Sequence, residues 1–232
     1  MSAVSQFNPF APETIECPFP FYAAMRTEAP VHQAPGMDFF IVSKYEDIRK
    51  IAHDTETFSS KTGPGVSKEP PQEVVEILKQ GWLPVATLLT NDPPAHRRYR
   101  SLVNKAFTPR RVAQLEPSIR TIANDLIDRF IDAGKVELIE HFAVPVPLTV
   151  IADALGVSRA DLSDFKRWSD DAVAPLGGMI SLEQEIECAH STVEFQRYFA
   201  AKLEERRTAP QDDLLTDLIN ARIEGETPPR HR

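Results

Sequence analysis

The feature that most constrains the fold is an apolar repeat near the middle of the chain. From Val112 to Phe130, apolar side chains recur at spacings of three and four residues. This spacing puts them on one face of a helix and predicts a long amphipathic α-helix. Thr108 and Pro109 fit the start of that helix, and Gly134 fits its end.

Weaker signals of the same kind predict further helices on both sides of the repeat. Ser43, Asp92 and Ser181 are expected to cap helices, and Ser158 pairs with Asp161 in a second capping-box pattern. The predicted helices span 18–29, 44–53, 72–80, 92–107, 108–130, 148–155, the stretch after 158, 181–207 and 212–222. Extended segments are expected only in a hairpin around Pro35 and Gly36 and in a short strand over 135–139. The fold class is therefore mainly α.

Composition and charge exclude several classes of protein. The chain has 232 residues and a net charge of −8, which is ordinary for a globular protein and unfavourable for binding nucleic acid. No apolar stretch is long enough to span a membrane, and the first ten residues lack the pattern of a secretory signal, so a cytoplasmic location is expected. Cys17 and Cys188 are far apart, which predicts two free thiols and no metal cluster.

One segment reverses the sign of the overall charge. Between Pro93 and Leu115 there are six basic side chains, one histidine and no acid. His96 and Arg100 lie one helical turn apart at the edge of an apolar stripe formed by Tyr99, Leu102, Val103, Ala106 and Phe107. A cation at the rim of a buried stripe needs an anionic partner, which is either a ligand or a carboxylate of this chain.

The residues around this helix resemble a known family. Thr87–Arg110 contains D-P-P-x-H-x-x-x-R followed by L-V-x-x-A-F-[ST]-P, and is similar to helix C of the bacterial cytochrome P450 family of heme-thiolate monooxygenases. The resemblance extends to about Gly225. It implies the N-terminal part of the cytochrome P450 fold, helices A to H with a short β hairpin. We expect one incomplete domain over 1–225, with the heme-propionate helix at 92–107, and a divergent polar tail over 226–232.

The resemblance also implies roles for individual residues. His96 and Arg100 would hold the heme propionates. The loop over 59–90 would line the pocket for a small apolar organic substrate, with an apolar wall of Trp82, Leu83, Val85, Leu88 and Leu89. Arg97, Arg98 and Lys105 would form a basic surface for a ferredoxin-type electron donor, although a solvated basic face would have the same composition.

The sequence departs from the family pattern at its catalytic elements. The cysteine motif F-x-x-G-x-x-x-C-x-G and the helix I motif [AG]-G-x-[DE]-T-T are absent, and neither Cys17 nor Cys188 has the surroundings of an iron ligand. We therefore expect a chain truncated before helix I that has no catalytic residue or metal ligand of its own. Alone it should not be a monooxygenase, and it should expose apolar surface that a missing C-terminal fragment would cover.

Two other functions remain as alternatives. Val150–Ser163 resembles a helix-turn-helix of a DNA-binding protein, but Asp161, Asp164, Asp170 and Asp171 lie where phosphates would approach. The chain could also be a non-catalytic small-molecule binding fragment. By family resemblance, the complete reaction is insertion of one oxygen atom from O₂ into an organic substrate, with electrons from NAD(P)H.

Overall fold

The computed structural model describes residues 4, 8–33, 36, 39–61, 69–82, 85–177 and 180–221, with backbone only for Lys105 and Ala106. Within these residues the chain is mainly α, as predicted, with ten α-helices and one two-stranded antiparallel sheet. The chain divides into two compact units, residues 1–59 and residues 60–232. The single incomplete domain expected over 1–225 stays a prediction, and the tail over 226–232 lies outside the described residues.

The first unit combines short helices with the predicted hairpin. Its elements are α1 (Pro12–Glu16), α2 (Phe19–Glu28), β1 (Val31–Gln33), β2 (Phe40–Val42) and α3 (Tyr45–His53). In the hairpin, Val31 pairs with Val42 and Gln33 with Phe40. Gly36 has φ = 75°, a left-handed conformation that glycine adopts without strain. Met25 of α2 is fully buried and forms the centre of the small core of this unit.

The second unit holds the remaining helices. They are α4 (Gln72–Leu78), α5 (Ala95–Ala106), α6 (Pro109–Asp128), α7 (Pro145–Ala154), α8 (Leu162–Val173), α9 (Leu182–Thr208) and α10 (Leu214–Asn220). Helix α9 is the central element, because α4, α8 and α10 all pack against it. Helix α6 packs on α7, α7 on α8, and α10 on α5. The long helix expected from the apolar repeat is thus confirmed as α6.

The core of this unit lies between α7, α8 and α9. Ala152, Val157, Phe165 and Trp168 are buried there, and aromatic side chains of α9 close it. Trp168 lies 5.2 Å from Tyr198 between ring centroids. Its indole N–H donates to Glu194 (3.2 Å), so the polar edge of the ring is satisfied. The helix pair considered as a helix-turn-helix therefore places Phe165 and Trp168 of its second helix in the core.

Local capping signals were reliable where the partners are close in sequence. The hydroxyl of Thr108 accepts a hydrogen bond from the backbone N–H of Arg111 (3.2 Å) at the start of α6. Ser181 and Gln184 form the reciprocal capping box at the start of α9. Ser158 caps only a short 3₁₀ turn (Arg159–Asp161), because the Asp161 carboxylate accepts a hydrogen bond from Tyr198 (2.8 Å).

Two predicted caps are wrong. The hydroxyl of Ser43 donates to the carbonyl of Pro30 (3.2 Å), which continues the hairpin, and Lys44 precedes α3 without a side-chain cap. Helix α5 begins at Ala95 after Pro94, also without a side-chain cap. The Asp92 carboxylate accepts a hydrogen bond from the backbone N–H of Ser60 (2.8 Å). In both cases a partner distant in sequence replaced the helix terminus.

The strand predicted over 135–139 is also wrong. Residues 135–137 have no regular structure, and a short π-helix follows at Ile139–Ala143. The Glu137 carboxylate accepts hydrogen bonds from the backbone N–H groups of Ile139 (3.3 Å) and Glu140 (2.6 Å). These bonds satisfy the backbone N–H groups at the start of a helical turn. The segment therefore enters a helix where the strand was predicted.

A buried ion pair joins three parts of the second unit. Arg206, near the end of α9, pairs with Asp213, and the two side chains are only 3% and 7% exposed. Arg206 also reaches the carbonyl of Gly156 (3.5 Å), in the turn between α7 and α8. The carboxylate of Asp213 caps α10 by accepting from the N–H of Thr216 (2.9 Å). Both charges are therefore hydrogen-bonded, as burial requires.

Candidate functional site

Helix α5 carries the two residues predicted to bind an anion. His96 and Arg100 are separated by one turn and share one face of the helix. His96 is half-buried and Arg100 is exposed. The guanidinium Nε of Arg100 donates to the Asn104 side-chain oxygen (3.3 Å), which orients the group along the helix and leaves its Nη atoms accessible for a ligand.

The surroundings of this pair fit an anionic group. Among the residues that the structure describes, neither His96 nor Arg100 forms an ion pair with a carboxylate. Of the two anionic partners left open by the sequence, a carboxylate of this chain is not found at either side chain among the described residues. A group with two carboxylates, such as the heme propionates, matches two donors one turn apart.

The apolar stripe next to the pair is only partly covered. Leu102 is buried and Val103 half-buried, and α10 packs against α5. Tyr99 is 43% and Phe107 51% exposed. Tyr99 of α5 and Phe107 directly after it therefore present aromatic surface on the stripe that His96 and Arg100 border. This exposed surface is available to contact a ligand or another chain segment.

The basic surface expected on the opposite side is present in part. Arg97 and Arg98 are exposed, while the side chain of Lys105 lies outside the described residues. Beyond the end of α5, Arg111 is engaged by Asp212 (2.6 Å), and this hydrogen bond raises the pKa of Arg111. Arg97 and Arg98 are the two residues of the predicted docking surface whose exposure the structure describes.

The members of the predicted apolar wall that the structure describes are mostly exposed. Trp82 and Val85 are exposed, Leu88 is half-buried and Leu89 is 70% exposed. Leu83 lies outside the described residues. Leu88 and Leu89 occupy a turn that is held by its own hydrogen bonds, from Thr87 N–H to Thr90 Oγ1 (2.7 Å) and from Thr90 N–H to the Thr87 carbonyl (3.2 Å). The turn therefore presents its leucines from a fixed backbone.

The part of this loop that follows α4 is attached to α9 by residues that no sequence pattern indicates. The side-chain amide of Gln196 accepts from the backbone N–H of Trp82 (2.7 Å) and donates to its carbonyl (2.7 Å). Arg197 donates to the carbonyl of Gln80 (3.0 Å). A Cβ at Gly81 would lie 2.2 Å from the Gln196 oxygen, so glycine permits this close approach. The partners are more than 110 residues apart, and no local pattern indicates them.

Among the described residues there is a large open cleft that contains no residue of α5. It has a volume of about 730 Å³ between the end of α6 and the start of α7, and Phe130, Val136 and His141 are among the residues that line it. None of the predicted site residues contributes to it. The cleft is therefore no part of the candidate site.

The two cysteines lie in different surroundings. Cys17 is exposed at the end of α1, and Cys188 is buried in α9. Burial raises the pKa of the Cys188 thiol, and the negative charge of Asp171 adds to this effect, so the thiolate is disfavoured. Within the described residues, His, Cys, Asp and Glu side chains form no group suited to a metal ion. Within the described residues, the pair on α5 is thus compatible with the carboxylates of a heme, and burial disfavours the Cys188 thiolate.

No helix among the described residues is both long and apolar enough to cross a membrane.

Comparison with known proteins identifies the family. The chain matches no family model. It is 34% identical over 215 residues to the putative cytochrome P450 YjiB of Bacillus subtilis, covering 90% of this chain and 50% of the relative. It is 31% identical over 226 residues to cytochrome P450(MEG) of Priestia megaterium, covering 97% of this chain and 54% of the relative. The chain thus spans about half the length of the curated relatives it matches.

Solved structures agree. Cytochrome P450 CREJ, in complex with (4-ethylphenyl) dihydrogen phosphate, superimposes with a TM-score of 0.85 at 30% identity, covering 94% of this chain and 54% of that structure. CYP109Q5 from Chondromyces apiculatus gives a TM-score of 0.73 at 35% identity, covering 97% and 54%. The chain therefore belongs to the bacterial cytochrome P450 family and corresponds to the N-terminal portion of its fold.

Proposed function

We propose that this chain supplies the heme-propionate helix and part of the substrate pocket of a heme-dependent monooxygenase. The observation that carries the proposal is the pair His96 and Arg100 on one face of α5, without a carboxylate partner among the described residues. Membership of the cytochrome P450 family supports heme as the anionic group. When bound, heme would supply activation of O₂ and insertion of one oxygen atom into the organic substrate.

The residues of this chain would bind the heme and orient the substrate beside it. His96 and Arg100 would donate charge-assisted hydrogen bonds to the two propionates and fix the heme against α5. Tyr99 and Phe107 would contact the group from the same helix. Trp82, Leu83, Val85, Leu88 and Leu89 would provide an apolar wall for a small organic substrate and exclude water from it.

Electron transfer would use the opposite side of the helix. Arg97, Arg98 and Lys105 would attract an acidic, ferredoxin-type electron donor, because complementary charge accelerates the encounter of two proteins. A known structure of P450BioI, 27% identical to this chain, contains an acyl carrier protein, so family members also bind other protein partners. We assign the basic surface to the electron donor.

The iron ligand and the oxygen-activating elements would come from a C-terminal part. Neither Cys17 nor Cys188 lies in the cysteine motif of the family. We propose that residues 1–225 form one incomplete domain that is inactive as a monooxygenase until that part is joined to it, in the same polypeptide or as a second chain. The exposed aromatic side chains of α5 support this view.

Hemin titration of the purified chain tests the assignment. We expect His96→Ala and Arg100→Ala each to weaken hemin binding by about tenfold, since each removes a hydrogen bond to a charged group. Arg120→Ala serves as a matched control, because Arg120 is an exposed cation on α6. Equal binding by all three variants and the parent would contradict the assignment.

The reduced, CO-bound difference spectrum tests the missing ligand. Its Soret position reports whether a cysteine thiolate binds the iron. We expect no thiolate-type band from this chain. Such a band would mean that Cys17 or Cys188 reaches the iron and that the proposed dependence on a C-terminal part is wrong. If the parent chain binds no hemin, the proposed role of His96 and Arg100 in this chain fails.

A further inference from the structure

We propose that Arg111 and Asp212 form a clamp that positions α5, and with it His96 and Arg100. This inference rests on the proposed function of those two residues in heme binding. Arg111 and Asp212 would touch neither heme nor substrate, so they are positioning residues. Four features of the second unit support the clamp.

The Arg111 guanidinium contacts its acidic partners through three of its nitrogen atoms. Nη1 of Arg111 donates to the Asp212 carboxylate (2.6 Å), and Nη2 donates to the backbone carbonyl of the same residue (3.0 Å). Nε lies 3.9 Å from the Asp217 carboxylate in α10. The Arg111 side chain is only 28% exposed. A planar guanidinium with several donors fixes both the distance and the direction of its partner, which a single ammonium donor does not.

The clamp lies at the junction between two helices. Helix α5 ends at Ala106, α6 begins at Pro109, and Arg111 is in the first turn of α6. Thr108 caps that turn by accepting from the N–H of Arg111 itself. The position of Arg111 is therefore coupled to the short connection that sets the direction of α5 relative to α6.

Asp212, the partner of Arg111, lies just before α10, the helix that packs on α5. Asp212 precedes α10 by two residues, and α10 is the described element with the most extensive packing against α5. Leu102 of α5 and Leu215 of α10 are both buried. Helices α5 and α10 pack against each other. The clamp joins the connection that follows α5 to the residues that precede α10.

The acidic side of the clamp is itself held by the scaffold. Asp213, the next residue, forms the buried ion pair with Arg206 of α9 and caps α10. The backbone N–H of Gln211 donates to the Thr216 hydroxyl (3.0 Å). Asp213 is therefore tied to α9 and Gln211 to α10, on either side of the exposed Asp212, and through Arg111 this position would be transmitted to α5. Loss of the clamp should loosen α5 while the core between α8 and α9 stays intact.

Amide hydrogen exchange tests the positioning without heme. We compare the parent with Arg111→Lys and with the matched control Arg120→Lys, which makes the same change at an exposed Arg–Glu pair of the same helix. Arg111→Lys should accelerate exchange across α5 by about three- to tenfold and leave α9 unchanged, because only local opening becomes easier. Exchange in α5 equal to that of the control would overturn the proposal, as would equal acceleration in α5 and α9.

Hemin titration of the same variants tests the link to the site. We expect Arg111→Lys to weaken hemin binding several-fold, less than His96→Ala, and Arg120→Lys to leave it unchanged. Faster exchange in α5 with unaltered hemin affinity would refute positioning of the site. If the parent binds no hemin, the proposed function of this chain fails, while the exchange result still decides whether the clamp positions α5.

Discussion

Helices α8 and α5 carry similar amounts of aromatic surface and use it in opposite ways. In α8, Phe165 and Trp168 are 5% and 7% exposed and pack against aromatic residues of α9. Tyr99 of α5 and Phe107, which directly follows the helix, remain about half exposed. Apolar area removed from water stabilises the fold, and apolar area left in contact with water does not. The comparison separates a scaffold around α9 from a helix available for binding.

The comparison is tested most strongly by the same substitution made in α8 and at the residue that directly follows α5. Phe165→Ala should lower the free energy of unfolding by about 3–5 kcal/mol, because it leaves a cavity in the core. Phe107→Ala removes the same atoms from an exposed position and should cost less than about 1 kcal/mol. Urea unfolding followed by circular dichroism measures both. Similar losses for the two variants would show that α5 is as well packed as α8.

A second pair of substitutions tests the buried ion pair that supports the scaffold. Gly156 has φ = 66°, and a Cβ there would lie 2.4 Å from Arg206 Nη2 and 2.6 Å from an Asp213 carboxylate oxygen. Gly134 has φ = 72° with nothing near its Cβ position. Gly156→Ala should cost about 2–3 kcal/mol, against about 1 kcal/mol for Gly134→Ala, since only the first adds a steric conflict to the backbone strain.

Thermal unfolding of the two glycine variants gives the comparison directly. The larger loss at Gly156 requires that Arg206 and Asp213 occupy the space next to the turn. Equal losses at both positions would mean that the pair relaxes away from Gly156 without cost.

The smallest expected effect concerns pH. The hydrogen bond from Arg167 holds the pKa of Glu194 below its ordinary value, and the hydrogen bond from Trp168 lowers it further. The folded state thus binds this proton less tightly than the unfolded chain. The stabilisation is present above the ordinary pKa of 4.5 and is lost as the pH falls through the lower folded value. Because both side chains of the pair are about half exposed, it should amount to less than about 1 kcal/mol.

Glu194→Gln isolates this contribution. The variant should lose less stability than the parent between pH 5 and pH 3, as measured by urea midpoints at each pH, on the order of a few tenths of a kcal/mol. A parallel decline in both proteins would show that Glu194 titrates normally.

The sequence predicted those features that depend on neighbours along the chain. The apolar repeat of α6, the cap at Thr108 and the capping box at Ser181 involve partners within one or two turns, and each is confirmed. Ser43 and Asp92 have equally good local signals, yet their side chains bond to Pro30 and Ser60. A local signal indicates that a side chain needs a partner, and tertiary structure decides which partner it finds.

The same distinction applies to the candidate site. The spacing of His96 and Arg100 is a property of one helix, so the sequence alone placed them on a common face. The contacts that hold this helix, between Arg111 and Asp212 and between α5 and α10, join segments about 100 residues apart. No periodicity or motif in the chain indicates them. The roles of the site residues remain predictions from family resemblance.

The bonds between Gln196 and Trp82 have a consequence for how the neighbouring loop can vary. The carboxamide of Gln196 supplies one donor and one acceptor, and so replaces the partner that an adjacent strand would give to Trp82. Both bonds are made to backbone atoms, and any residue except proline offers the same pair. The attachment is therefore independent of the side chain at position 82, so the residues of the loop can vary while the backbone at this position stays bonded to α9.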